Sequence, residues 1–190
     1  MKNKKAIFVC GSGGSGKTTF VKNNLSDYTN INVDSIYEEL LINSGLGLKI
    51  INFNDEEYKA AYKLFDAAKI INDTNFLKAI SNGDNIVIDG IGRNSDIILS
   101  QKNLLEKSGY STYMVIIYSD LEKCIERVNS RNRVYNEQLT IDSWYKSYSN
   151  ISTFKKEFGK SFLFIYIDNN EWIVKLKEFK NENKTPKTII

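Results

Sequence analysis

Three observations predict an α/β fold in three layers, with helices on both faces of a five-stranded parallel sheet. Short, continuously apolar runs alternate along the 190 residues with longer segments whose apolar residues recur three and four apart. The spacing is that of strand and helix in turn, which implies parallel strands joined by crossover helices. The unusual residue clusters, Gly11 to Gly16, Asp34, Asp89 to Arg93 and Asp120, all follow predicted strands. They would therefore meet on one rim, outside the carboxyl ends of the strands, where such sheets hold ligands.

Each element has its own warrant. "KAIFVC" (5–10) is short, apolar and closed by glycine, so it reads as a buried strand, with a helix following over 17–25. "NINV" (30–33) is the second strand and ends at Asp34; "DSIYEELLINSG" then takes helical spacing up to Gly45. From Asp55 to Ser81 the pattern predicts one long helix or two broken ones, opened by an acidic turn. "NIVIDG" (85–90) is the third strand, 94–109 a helix with a glycine stop, and "STYMVIIY" (111–118) the fourth strand. Helices are predicted over 120–133 and 140–158, and "SFLFIYID" (161–168) closes the sheet. A last helix, "NEWIVKLKEFK", precedes a polar tail at 181–190 that carries Pro186. Without repeats or a dividing linker, residues 1–180 form a single domain.

Composition removes several chemistries. The chain has no histidine, which excludes Ser-His-Asp and Cys-His machinery and every imidazole base, so a general base would be a carboxylate or lysine. Cys10 and Cys124 lie far apart and outside metal-ligand spacing, which suits a reducing compartment. No apolar run approaches the roughly 18 residues of a membrane span, so the expectation is a soluble, cytoplasmic protein. A formal charge of +3 is weaker than expected of a protein that coats nucleic acid.

"GSGGSGKT" (11–18) fits G-x-x-x-x-G-K-[ST], and it stands between a predicted strand and a helix as that motif requires. Its glycines allow successive N–H groups to point at phosphate oxygens, and the helix N-terminus adds its positive end. Gly11, Ser12, Gly13, Gly14, Ser15, Gly16, Lys17, Thr18 and Thr19 are thus assigned to a nucleoside triphosphate, ATP or GTP. Within that set Lys17 neutralises the outer phosphates and Thr18 offers a hydroxyl to Mg2+. Asp34 fits two roles at this stage, a base for an acceptor hydroxyl or a cap for the helix behind it. Asp89 and Arg93 point to acceptor binding; Asp89 also suits ordering of magnesium water, and Asp-Gly is a common turn. Arg127, Arg131 and Arg133 fall within seven residues around a segment, about 128–140, that reads as a mobile lid able to place guanidinium groups on the transferring phosphoryl. The alternative is that they solvate a helix end. Trp144, Tyr145 and Tyr148 read as core or lid packing.

These residues resemble two related families of P-loop phosphotransferases. The loop, "NVDSIY" and "NIVIDGIGRNSDIILSQKNLLEKSGYSTYMVIIY" look like the zeta toxins, which phosphorylate a nucleotide sugar. That resemblance implies a strand order of 2-3-1-4-5, Asp34 as base, Asp89 as acceptor contact where the family usually has glutamate, and Arg127 and Arg133 as lid cations. "NINVDSIY" and "ERVNSRNR" are also similar to the kinase domain of polynucleotide 5'-kinases, which again match Asp34 as base and Arg131 or Arg133 as lid arginine. Those kinases usually carry an arginine shortly after the base; "DSIYEE" has none. The implied activity is transfer of a γ-phosphate to a hydroxyl of a nucleotide-like acceptor: a nucleic-acid 5'-hydroxyl, a nucleoside or a nucleotide sugar. Two alternatives remain at this stage, a nucleoside monophosphate kinase, for which "DGIGR" resembles the acceptor-phosphate stretch of adenylate kinases, and a non-catalytic nucleotide-binding switch. A toxin role would further require a neutralising antitoxin-type partner, which a single chain does not display.

Overall fold

The computed structural model describes residues 4–131, 137–168 and Leu176. Strands β1 (Lys4–Cys10), β2 (Thr29–Ile31), β3 (Ile86–Gly90), β4 (Tyr110–Tyr118) and β5 (Phe162–Tyr166) form one sheet in the order β2-β3-β1-β4-β5. Every pairing is parallel, as the alternating pattern predicts. The helices are α1 (Lys17–Asn24), α2 (Val33–Asn43), α3 (Asp55–Asn82), α4 (Ser95–Lys107), α5 (Leu121–Asn129), α6 (Glu137–Ser149) and α7 (Ile151–Phe158). Among the described residues no helix is long and apolar enough to cross a membrane.

Period-two alternation in the central strands feeds two separate cores. Ala6, Phe8 and Cys10 of β1 pack with Phe76 of α3, Leu105 of α4 and Phe154 of α7 on one face. Val9, Val87, Val115 and Ile117 pack with Phe20 and Val21 of α1 on the other, where Leu176 is also buried. A sheet covered on both faces can expose functional groups only at its ends.

Two elements differ from the sequence reading in ways that shape the site. The second strand stops at Ile31 rather than running to Val33, because Asn32 leaves the sheet to cap α2: its side chain accepts from the Ser35 N–H at 3.1 Å. The predicted helix over 140–158 is two helices, broken at Asn150. The Asn150 amide donates to the Gly92 and Arg93 carbonyls at 3.0 and 3.1 Å, which fastens the break to the loop behind β3. Over 55–81 the structure chooses the single long helix, with a capping box at Asn54 and Glu57 and Gly83 closing it at φ 73°. The final helix and polar tail read from the sequence lie outside the described residues, Leu176 excepted.

Candidate active site

β1 lies at the centre of the sheet, so its carboxyl end delivers the glycine loop between β3 and β4. Gly14 adopts φ 78°, and a Cβ there would stand 2.3 Å from the Cys124 carbonyl oxygen of α5. Only glycine fits both the left-handed backbone and that close approach. Gly16 precedes α1 without a side-chain hydrogen bond to its first turn, which keeps those N–H groups for an anion. Lys17 starts α1 and donates its ammonium to the Ser12 carbonyl at 2.8 Å, at the mouth of the loop.

Two clefts open beside the loop. The first, about 560 Å3, is lined by Gly14, Gly16, Thr19, Phe20, Asn23 and Arg127 among others, an arrangement of apolar, amide and guanidinium surface suited to a nucleobase. The second, about 370 Å3, brings together Lys17, Thr18, Asp34, Asp89, Arg93 and Arg131. Residues drawn from four segments of the sequence thus converge on one space, at the rim where the strands end.

Asp34 occupies the first turn of α2, not the end of a strand, and it is not the cap; Asn32 performs that task. The capping role weighed for Asp34 is therefore corrected, and the residue lines the cleft with Lys17 and Thr18. Asn32 has a second duty, since its amide donates to the Asp89 carboxylate at 2.8 Å and ties the start of α2 to the end of β3. Asp89 is inside the strand, in register with Val9, so the Asp-Gly turn reading is also corrected. Burial pushes the Asp89 carboxyl above its ordinary range; Lys17 pulls it down, Asp34 pushes it up, and the Asn32 hydrogen bond and Arg131 oppose the rise. A carboxylate kept at that cost invites a cation.

Mg2+ fits the residues present. The Thr18 hydroxyl and the Asp89 carboxylate are hard oxygen donors in the same cleft. No group of three or more acidic, cysteine or histidine residues suited to a metal occurs among the described residues. Oxygens of this kind suit an ion that keeps several waters and takes its remaining oxygens from substrate phosphates.

The three arginines separate. Arg127 is on α5 rather than in the lid, and it is committed: one guanidinium nitrogen donates to Asp168 at 2.7 Å, the other to the Ser119 hydroxyl at 2.9 Å and the Gly14 carbonyl at 3.3 Å. It does not simply solvate a helix end. Arg131 is exposed and lines both clefts. Arg133 lies outside the described residues.

Asp168, Tyr148 and Asn32 are structural partners of the site that the sequence reading did not assign. Asp168 follows β5, the rim position that could have flagged it, and only 2% of its side chain is exposed. Burial disfavours its charge, but hydrogen bonds from Ser119, Arg127 and the Asp120 amide, with the Arg127 charge, outweigh that and hold the carboxyl below its usual 3.8. A depressed folded value means the stabilisation is complete at neutral pH and disappears as pH falls through 3.8 toward the folded value. Asp168→Asn is expected to lose about 1–3 kcal/mol at pH 7, with the gap from wild type narrowing in acid; urea unfolding at pH 7 and at about pH 3 checks both. Tyr148 of α6 braces the loop from the other side, its hydroxyl donating to the Ile117 carbonyl at 2.9 Å and accepting from the Ser12 N–H at 3.4 Å. With Trp144 it packs around Tyr118, so the expectation of packing for these two aromatics is met. Tyr145 is exposed and touches only the Trp144 ring among the described aromatic pairs.

Comparison with known proteins places this geometry. The AvrRxo1-ORF1:-ORF2 complex with ATP superposes with a TM-score of 0.67 at 16% identity, over 99% of this chain and 65% of that one. Shikimate kinase from Acinetobacter baumannii with shikimate gives 0.53 at 18% identity, over 96% of each chain. A chain of the PezAT toxin-antitoxin system of Streptococcus pneumoniae gives 0.53 at 16% identity, over 96% of this chain and 87% of that one. At these identities the likeness establishes the fold. No curated protein matches the sequence. The Zeta toxin family model matches residues 1–158, most of the chain, including the glycine loop, both cleft carboxylates and Arg131. The chain therefore belongs to the zeta toxin family and is a P-loop phosphotransferase.

Proposed function

We propose that the protein transfers the γ-phosphoryl group of ATP or GTP to a hydroxyl of a nucleotide-like acceptor, a nucleotide sugar in preference to a nucleic-acid end. The observation that carries this reading is the convergence of Lys17, Thr18, Asp34, Asp89, Arg93 and Arg131 on one cleft beside the glycine loop. The loop amides and Lys17 hold the donor phosphates, with the base of the donor against Phe20, Asn23 and Arg127. Thr18 and Asp89 are the residues that would hold Mg2+, which when bound would supply positive charge against the donor phosphates. Asp34 accepts the proton of the acceptor hydroxyl as its oxygen bonds to the γ-phosphorus; the bond to the β-phosphate oxygen breaks and the nucleoside diphosphate departs. Arg93 pairs with a phosphate on the acceptor.

A sugar acceptor is supported by the mixed lining of the cleft. Asp34, Glu38 and Asp89 offer acceptors to sugar hydroxyls, and with Lys17, Arg93 and Arg131 they balance the charge of the cleft, unlike the continuous basic track that suits a polyanionic strand. The helix after Asp34 also offers no arginine for a strand phosphate. Membership of the zeta toxin family, whose members phosphorylate a nucleotide sugar, points the same way. Cys10 and Cys124 are both free and buried, in keeping with a cytoplasmic setting. A neutralising protein partner belongs to the same reading, because the pneumococcal neighbour comes from a toxin-antitoxin system. Incubation with γ-labelled ATP and a panel of nucleosides, nucleoside monophosphates, nucleotide sugars and 5'-hydroxyl oligonucleotides tests it. Label on the nucleotide sugars is expected; label confined to monophosphates or to oligonucleotides would overturn it.

A further inference from the structure

Helix α6 carries several hydroxyls, and they behave in two ways. Ser147 donates to the Ser143 carbonyl at 2.6 Å and Ser149 to the Lys146 carbonyl at 3.0 Å, the usual outlet for a hydroxyl within a helix. Thr140 and Ser143 do not take it. Thr140 is 2% exposed, and neither its hydroxyl nor that of Ser143 has a hydrogen-bond partner among the described residues. Such orphaned buried hydroxyls are rare in native proteins because each forfeits its bonds to water without replacement. Both residues line the cleft that holds Asp34 and Asp89. Their i, i+3 spacing places them on one face of the helix, a turn apart.

We infer that Thr140 and Ser143 form a specificity pair for the neutral, hydroxyl-bearing portion of the acceptor, the sugar ring of a nucleotide sugar; this rests on the acceptor reading proposed above. The chemistry of the wall selects that class. A hydroxyl both donates and accepts, as a sugar hydroxyl requires, whereas the carboxylates of the same cleft can only accept. Leu139 and Ile50 supply apolar surface beside the pair for the C–H face of a ring. The acceptor phosphate is provided for separately by Arg93. A site whose polar groups find partners only in the correct ligand rejects one that lacks the matching group.

The test uses calorimetric binding without donor, so that it does not depend on transfer. The probes are hexose-bearing uridine and guanosine diphosphates and the bare diphosphates. Wild type is expected to bind a hexose-bearing form more tightly than its bare counterpart. The double variant Thr140→Val/Ser143→Ala is expected to weaken hexose-form binding about 10–100-fold and to leave the bare diphosphates unchanged. Thr140→Ser, which keeps the hydroxyl, retains the affinity. Thr140→Val alone should have a Tm no lower than wild type, since it removes an unsatisfied group rather than a bond. Equal affinity of wild type for both forms, or of the double variant and wild type for the hexose form, would overturn the pair. Hexose-dependent binding without labelled product in the transfer assay would instead retain the pair and overturn the kinase reading.

Discussion

Asp34→Asn is expected to slow phosphoryl transfer by about 10²–10⁴-fold while donor affinity stays at the wild-type level. The substitution preserves shape and removes the proton-accepting charge. Because Asn32 caps α2, the helix does not rely on Asp34 for its start, so the variant should fold with a native Tm. The loss should appear in kcat and kcat/KM together, as befits a group that acts in the transition state. Single-turnover transfer with labelled ATP, paired with a donor-binding titration, separates chemistry from binding. Wild-type transfer in this variant would mean that a phosphate rather than a hydroxyl attacks, since a phosphate acceptor has no proton to give up at neutral pH.

Arg131→Ala should be as damaging, by about 10³–10⁵ in kcat, the range seen when an arginine is removed from a phosphoryl transition state. Among the described residues Arg131 is the arginine that lines both clefts, and it acts on the buried Asp89 electrostatically. Arg127 is held instead by Asp168 and Ser119, a residue that braces the loop through Gly14. The two arginines should therefore fail differently: Arg131→Ala in turnover with a normal Tm, Arg127→Ala in Tm and donor KM. Arg131→Lys should not restore the rate, because an ammonium lacks the planar fork that spans two phosphoryl oxygens. Turnover assays alongside thermal melts of the three variants decide the assignment.

Much of this architecture was legible because burial imposes periodicity. Strands covered on both faces must be continuously apolar, and β1, β3 and β4 announce themselves accordingly. The loop was legible for a different reason: Gly14 has no room for a Cβ, and backbone that must approach so closely leaves a sequence signature. What escaped depended on partners distant in sequence. Asn32 reads as strand until its amide is seen on Asp89, 57 residues away. Asn150 breaks a helix whose spacing continues through it, because its hydrogen bonds go to the loop behind β3. Asp168 read as the end of a strand, and its pairing with Arg127 crosses 41 residues. Such contacts join residues far apart in the chain, so local spacing does not reveal them, and of the three only Asp168 stands at a rim position that marks it.

A crystal structure with a non-hydrolysable triphosphate and Mg2+ decides whether the loop and Asp34 serve one reacting group. The terminal phosphate is expected within the amide ring of residues 13–18 and on Lys17, with the Asp34 carboxylate roughly 5–6 Å from the γ-phosphorus, room for one acceptor oxygen between them. A terminal phosphate bound elsewhere, or an Asp34 carboxylate turned away with no path for a hydroxyl to reach both, would contradict that arrangement.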